Sequence, residues 1–137
     1  MSKHIVVIDD CQVVLAMASD FLEAAGFRVS VADNGVYSNH LIYSNTPPDL
    51  IMLDVVMPLM SGDKKLRLLK SRDKSRHIPV LLISSKDEEE LSRLVDTHGA
   101  DGYLAKPFTA EQLVATVRNL IAPGPGGDRP SRMRRAA

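Results

Sequence analysis

Short apolar segments alternate five times with longer ones whose apolar residues recur every three or four positions. "HIVVID" (4–9), "DLIMLD" (49–54) and "PVLLIS" (79–84) are continuously apolar and end in polar residues. Strands covered on both faces of a parallel sheet have that composition, so these three are predicted to lie in the middle of one. "RVSVAD" (28–33) instead alternates, with Val29 and Val31 on one side and Ser30 and Ala32 on the other, and "GYLAKP" (102–107) is brief. These two are predicted to lie at the edges.

Helical patterns separate the strands. Val14, Met17, Ala18, Phe21, Leu22 and Ala25 form one apolar stripe, closed by Gly26, a residue free to take the left-handed conformation that ends helices. The last helix opens on "TAEQ", with Thr109 as N-cap and Gln112 three residues on, and carries Leu113, Val117, Leu120 and Ile121. A fourth runs from Asp87 to His98, its "DEEE" start matching the positive end of a helix dipole, and Gly99 stops it. The third follows Gly62, with Leu66 and Leu69 behind a polar "DKK". "VYSNHLIYSN" (36–45) has the weakest helical pattern, because Ser and Asn compete for backbone hydrogen bonds, and "TPP" ends it. The whole reads as (βα) repeated five times, a doubly wound α/β fold with right-handed crossovers and helices on both faces of a five-stranded parallel sheet.

Composition narrows the class. The chain has 137 residues, 45% of them hydrophobic and 25% charged, as a single soluble domain requires. A domain is expected over 1–121, followed by a flexible Pro/Gly/Arg-rich tail or linker over 122–137. Net charge is +0, and nothing in it calls for nucleic acid as a partner of this chain alone. Cys11 is the only cysteine, which rules out an internal disulfide and is expected to pack quietly beside the strand ends. The longest apolar runs are too short to cross a bilayer and no signal core opens the chain, so a cytoplasmic protein with no membrane partner is expected.

Ligands of open α/β sheets sit beyond the carboxyl ends of the strands. Asp9 and Asp10 end the first strand, Asp54 the third, Ser84 the fourth and Lys106 the fifth, so five functional groups from four segments are expected at one edge. Singly, each has an ordinary reading as a turn, a cap or a surface charge. Together they form a site. Carboxylates within about 4 Å repel by roughly 4 kcal/mol per pair at an effective dielectric near 20. A proton or a cation must relieve that. All-oxygen ligands suit a hard divalent ion, and Mg²⁺ characteristically combines one or two carboxylates with a phosphate oxygen.

The "DD" at 9 and 10, "DVVMP" at 54–58, the hydroxyl of "ISS" at 84 and "KPF" at 106–108 resemble the receiver domain of two-component response regulators, over roughly residues 3–121. The resemblance implies a flavodoxin-like fold of strand order 2-1-3-4-5 and a phosphorelay role, with Asp54 accepting a phosphoryl group in a Mg²⁺-dependent reaction. It implies Asp10, Asp54 and the backbone carbonyl of Val56 as metal ligands, with Asp9 acting through water. Lys106 and Ser84 would bind phosphoryl oxygens, and Ser84 and Tyr103 would form the switch read out on the fourth helix, fifth strand and fifth helix. Such a protein is no enzyme in the ordinary sense, although it assists its own phosphorylation and dephosphorylation. Its partners would be a sensor histidine kinase or histidine phosphotransfer protein, a downstream target or an output domain outside this chain, and a second copy in a phosphorylation-dependent dimer.

The alternatives are a phosphorylation-independent interaction module and an aspartyl-phosphate hydrolase. The first would be expected to lack the acceptor, the lysine or the acidic pair, and the second typically needs an acid where Val56 stands. Cys11, Asp63, Lys64 and the Ser/Asn/Tyr-rich second helix depart from the family pattern, and the polar residues of those two helices offer a partner surface. Val56, apolar beside the path of an attacking water, leads us to expect a comparatively long-lived phosphoryl group.

Overall fold

Successive residues of a strand point to opposite faces, and here both faces are covered. In a computed structural model that describes residues 2–57 and 59–121, Val6, Ile8, Ile51, Leu53, Val80 and Leu82 enter one apolar cluster. Their neighbours Ile5, Val7, Leu50, Met52, Leu81 and Ile83 enter a second on the other side. That double burial explains the continuous apolar runs. Each large side chain fully removed from water contributes on the order of 1.5–3 kcal/mol before the entropy of ordering the chain is charged against it.

Five strands, β1 (His4–Ile8), β2 (Arg28–Ala32), β3 (Leu50–Asp54), β4 (Val80–Ser84) and β5 (Gly102–Ala105), pair in parallel in the order β2-β1-β3-β4-β5. The middle and edge positions are those expected from composition. Between them lie α1 (Gln12–Ala24), α2 (Asn39–Ile42), α3 (Gly62–Ser71) and α4 (Glu88–His98), with α5 (Ala110–Ile121) last. The first cluster holds Ile42, Leu66, Leu69, Leu91 and Val95 of α2, α3 and α4, whereas the second holds Leu15, Leu22, Leu113 and Val117 of α1 and α5. Helices therefore cover both faces.

Local chemistry sets the helix ends. Thr109 N–H donates to the Gln112 side chain at 2.9 Å and Gln112 N–H to the Thr109 hydroxyl at 3.1 Å, the reciprocal box read from "TAEQ". The Asp87 carboxylate accepts from Glu90 N–H at 2.9 Å, and Gly99 ends α4 at φ 80°.

Two expectations change. The second helix spans only Asn39–Ile42, because the Asn34 side chain accepts the N–H groups of Val36 at 3.0 Å and Tyr37 at 2.9 Å, folding the predicted first turn into a loop. In β2 the alternation holds only in part, since Val29 packs on the second cluster while Val31 is exposed. The predicted tail over 122–137 lies outside the described residues. Among the described residues no helix is long and apolar enough to cross a membrane.

Candidate functional site

Parallel register brings the chemistry together. Asp54 pairs with Ile83 and Ser84 with Ala105, so the ends of β3, β4 and the first residue after β5 fall side by side. Lys106 is held there by its own N–H, which donates to the Ser84 carbonyl at 2.8 Å. On the other side Asp9 N–H donates to the Ala32 carbonyl at 3.1 Å. Asp9, Asp10 and Asp54 each offer a carboxylate oxygen, and the three oxygens lie within 4.8 Å of one another. Asp9 is 0% and Asp54 4% exposed, while Asp10 faces solvent. The acidic cluster is thus anchored inside and open at Asp10.

The Lys106 ammonium lies 2.6 Å from Asp9 Oδ2 and 3.5 Å from Asp54 Oδ1. Its tighter partner is Asp9. The other Asp9 oxygen accepts the N–H of Cys11 at 2.9 Å, so this buried carboxylate also fastens the entry to α1. Cys11 itself is exposed rather than packed, and its backbone N–H is what meets Asp9.

One ammonium does not neutralise three acids. Burial, then the Asp9 charge, pushes the Asp54 carboxyl up from 3.8 to about 6, with Lys106 pulling the other way. Burial works to lower the Lys106 pKa, but the hydrogen bond to Asp9 and the charges of both carboxylates outweigh it and the pKa is raised. A site with surplus negative charge, hard oxygen donors and one exposed carboxylate fits a divalent cation.

The remaining predicted residues flank this centre. Ser84 is buried, its Oγ accepting the N–H of Lys86 at 3.1 Å. Val56 N–H reaches toward Asp54 Oδ1 at 3.5 Å, and its side chain is 60% exposed. Tyr103 is buried in the cluster that contains Leu91 and Val95 of α4.

Sequence reasoning passed over two residues. Gly62 sits so close under the acceptor strand that a Cβ there would lie 2.1 Å from the Asp54 carbonyl oxygen. Lys65 is 2% exposed, with its ammonium hydrogen-bonded to Asn39 Oδ1. The signal for Lys65 was its place in the stripe 62, 65, 66, 69 that α3 turns inward.

Comparison with known proteins identifies the family. Residues 5–118 match the family described as the response regulator receiver domain. The chain is 33% identical over 127 residues to the phosphate regulon transcriptional regulatory protein PhoB of Pseudomonas aeruginosa, covering 92% of this chain and 55% of that one. It is 33% identical over 125 residues to the sensor histidine kinase TmoS of Ectopseudomonas mendocina, covering 91% of this chain and 13% of the kinase. It therefore spans about half of the first protein and a small part of the second. Among solved structures, the chemotaxis response regulator CheY4 of Vibrio cholerae superposes with a TM-score of 0.77 at 25% identity, covering 88% of this chain and 99% of that one. By fold and by sequence, the chain belongs to the family of response regulator receiver domains.

Proposed function

We propose that this receiver accepts a phosphoryl group on Asp54 from the phosphohistidine of a sensor kinase or phosphotransfer protein, and that Mg²⁺ is required. The observation that carries the reading is the convergence of Asp9, Asp10 and Asp54 with the Lys106 ammonium at the ends of three strands. An Asp54 carboxylate oxygen forms the new bond to phosphorus as the bond to the donor nitrogen breaks, and the electron pair leaves with the imidazole. Such transfer depends on position and charge neutralisation more than on a base.

Asp10, Asp54 and the Val56 carbonyl would hold the metal directly and Asp9 through water. When bound, the ion neutralises phosphoryl charge. Lys106 and the Ser84 hydroxyl supply a charge-assisted and a neutral hydrogen bond to phosphoryl oxygens. The Ser84 hydroxyl donates its proton there while its oxygen accepts the Lys86 N–H, so that any movement of Ser84 pulls on the loop before α4. Tyr103, packed with α4 side chains, carries that shift to β5 and so to the surface formed by α4, β5 and α5. Val13, Val56 and Leu59 are exposed apolar residues near the strand ends and give a docking phosphodonor something to bury.

Incubation with Mg²⁺ and acetyl phosphate, followed by mass spectrometry of the digested protein, should place one phosphoryl group on Asp54. No label leaves a binding module, and sustained turnover of unrelated phosphoesters would make the protein a hydrolase. Because the Asp54 carboxyl holds its proton to about pH 6, metal uptake should be level above pH 7 and weaken about tenfold per unit well below 6. Calorimetric titrations with Mg²⁺ at several pH values check this, and an affinity indifferent to pH would detach Asp54 from the metal. Decay of the label should be slow, since Val56 cannot orient a water. Val56→Asn should shorten its lifetime several-fold, and equal lifetimes would remove Val56 from the account.

A further inference from the structure

The α3 helix and the loop after it carry charge that the acceptor site does not use. Residues 63–77 hold seven Lys and Arg against two Asp in a chain of net charge +0. Three of the seven are occupied: Lys65 with Asn39, Lys70 with Asp101 at 2.9 Å and Arg76 with Asp73 at 3.5 Å. Lys64, Arg67, Arg72 and Lys74 are exposed, and none has a carboxylate at ion-pair distance among the described residues.

Their placement is ordered. Because α3 buries 62, 65, 66 and 69, Lys64, Arg67 and Ser71 share the opposite face, a stripe about 10 Å long at 1.5 Å per residue. Just beyond, the Arg72 guanidinium lies over the Tyr43 ring, 5.5 Å from its centre. The ring is fixed, since its hydroxyl is hydrogen-bonded to Ser75 Oγ at 3.0 Å and that serine donates to the Leu69 carbonyl at 2.7 Å. Tyr43, Arg72, Asp73 and Lys74 line a cleft of about 300 Å³. A carboxylate can take the guanidinium fork there while its methylenes lie along the aromatic ring.

We propose that this face, the Tyr43–Arg72 cleft continued along Arg67 and Lys64, docks an acidic segment of a protein partner. Charge complementarity selects the occupant, because cations spaced three apart on a helix match carboxylates at the same spacing on a partner helix. A nucleic acid fits less well. Its phosphates, one charge per about 1.7 Å of duplex, call for a denser run of cations than these four, among which the Asp73 carboxylate also stands. The surface is distinct from α4, β5 and α5 and does not depend on phosphoryl transfer.

Fluorescence anisotropy of the full chain with a labelled Glu-rich helical peptide tests the proposal, with the Gln counterpart and a short DNA duplex as competitors. The expected result is binding that Arg72→Glu weakens at least about tenfold and Arg67→Glu several-fold, while Arg28→Glu, an exposed reversal at the sheet edge, changes it less than about twofold. All three substitutions are at exposed sites, and circular dichroism confirms their folding. Equal loss with Arg28→Glu would reduce the effect to net charge, unchanged binding in Arg72→Glu would place it elsewhere, and tighter binding of the duplex would make the ligand a nucleic acid. Any of the three overturns the proposal.

Discussion

Gly62→Ala should unfold about 10 °C lower than the parent protein and lose most of its metal uptake. A methyl group at this position would stand 2.1 Å from the Asp54 carbonyl oxygen and 2.7 Å from the Val55 Cα, far inside any real contact, and both obstacles are backbone. No rotamer change relieves that. The start of α3 must therefore back away from β3, breaking the hydrogen bond from Gly62 N–H to the Val55 carbonyl at 2.8 Å and loosening Leu66 and Leu69 in the apolar cluster. Overpacking of this kind costs about 3 kcal/mol, which for a domain of this size corresponds to the stated fall in midpoint. The same movement displaces the loop that aims Asp54, so metal affinity should fall with stability. Thermal unfolding by circular dichroism and calorimetry with Mg²⁺ measure the two effects, and a midpoint within about 2 °C of the parent would mean that α3 is not pinned against the acceptor strand.

Gly62 also shows where sequence reading stops. The strands and their central or edge positions were legible because burial on both faces demands continuous apolar residues, and the five site groups were legible because each follows a strand. The capping box at Thr109 was legible because its two hydrogen bonds are local. Most of what was not legible depends on contacts between segments. Gly62 looks like a helix start until the Asp54 carbonyl is placed beneath it. The pairing of Lys106 with Asp9 ahead of Asp54 depends on distances no spacing encodes. The second helix lost its predicted first turn to the Asn34 side chain, a local competitor that polarity alone does not reveal. Its Asn39 and Tyr43 reach α3 and the loop behind it, contacts that no spacing along the chain announces. Lys65 was passed over because a charged residue counts as surface unless the stripe it falls in is drawn first.

The same lysine carries the second large effect: Lys65→Met should make the protein more stable at neutral pH. Burial, with a smaller push from the nearby Arg72 charge, lowers the Lys65 pKa from 10.5 to about 8, and no carboxylate lies at ion-pair distance from it among the described residues. At about 1.36 kcal/mol per pH unit, keeping this ammonium charged costs the fold about 3 kcal/mol at pH 7. Methionine has similar length, packs against apolar neighbours and leaves only the exposed Asn39 amide to be rehydrated. A net gain of about 1–2 kcal/mol is expected after that loss. The pH dependence identifies the cause. Between about 8 and 10.5 the unfolded chain binds a proton at this lysine that the folded one does not, so the parent gains stability as pH rises through that window. The advantage of Lys65→Met should therefore be full below pH 8 and shrink as pH approaches 10.5. Urea unfolding of both proteins at pH 7 and pH 9.5 measures it. A gain independent of pH would assign the effect to packing alone, and a loss of stability would mean that the hydrogen bond to Asn39 outweighs the burden of the buried charge.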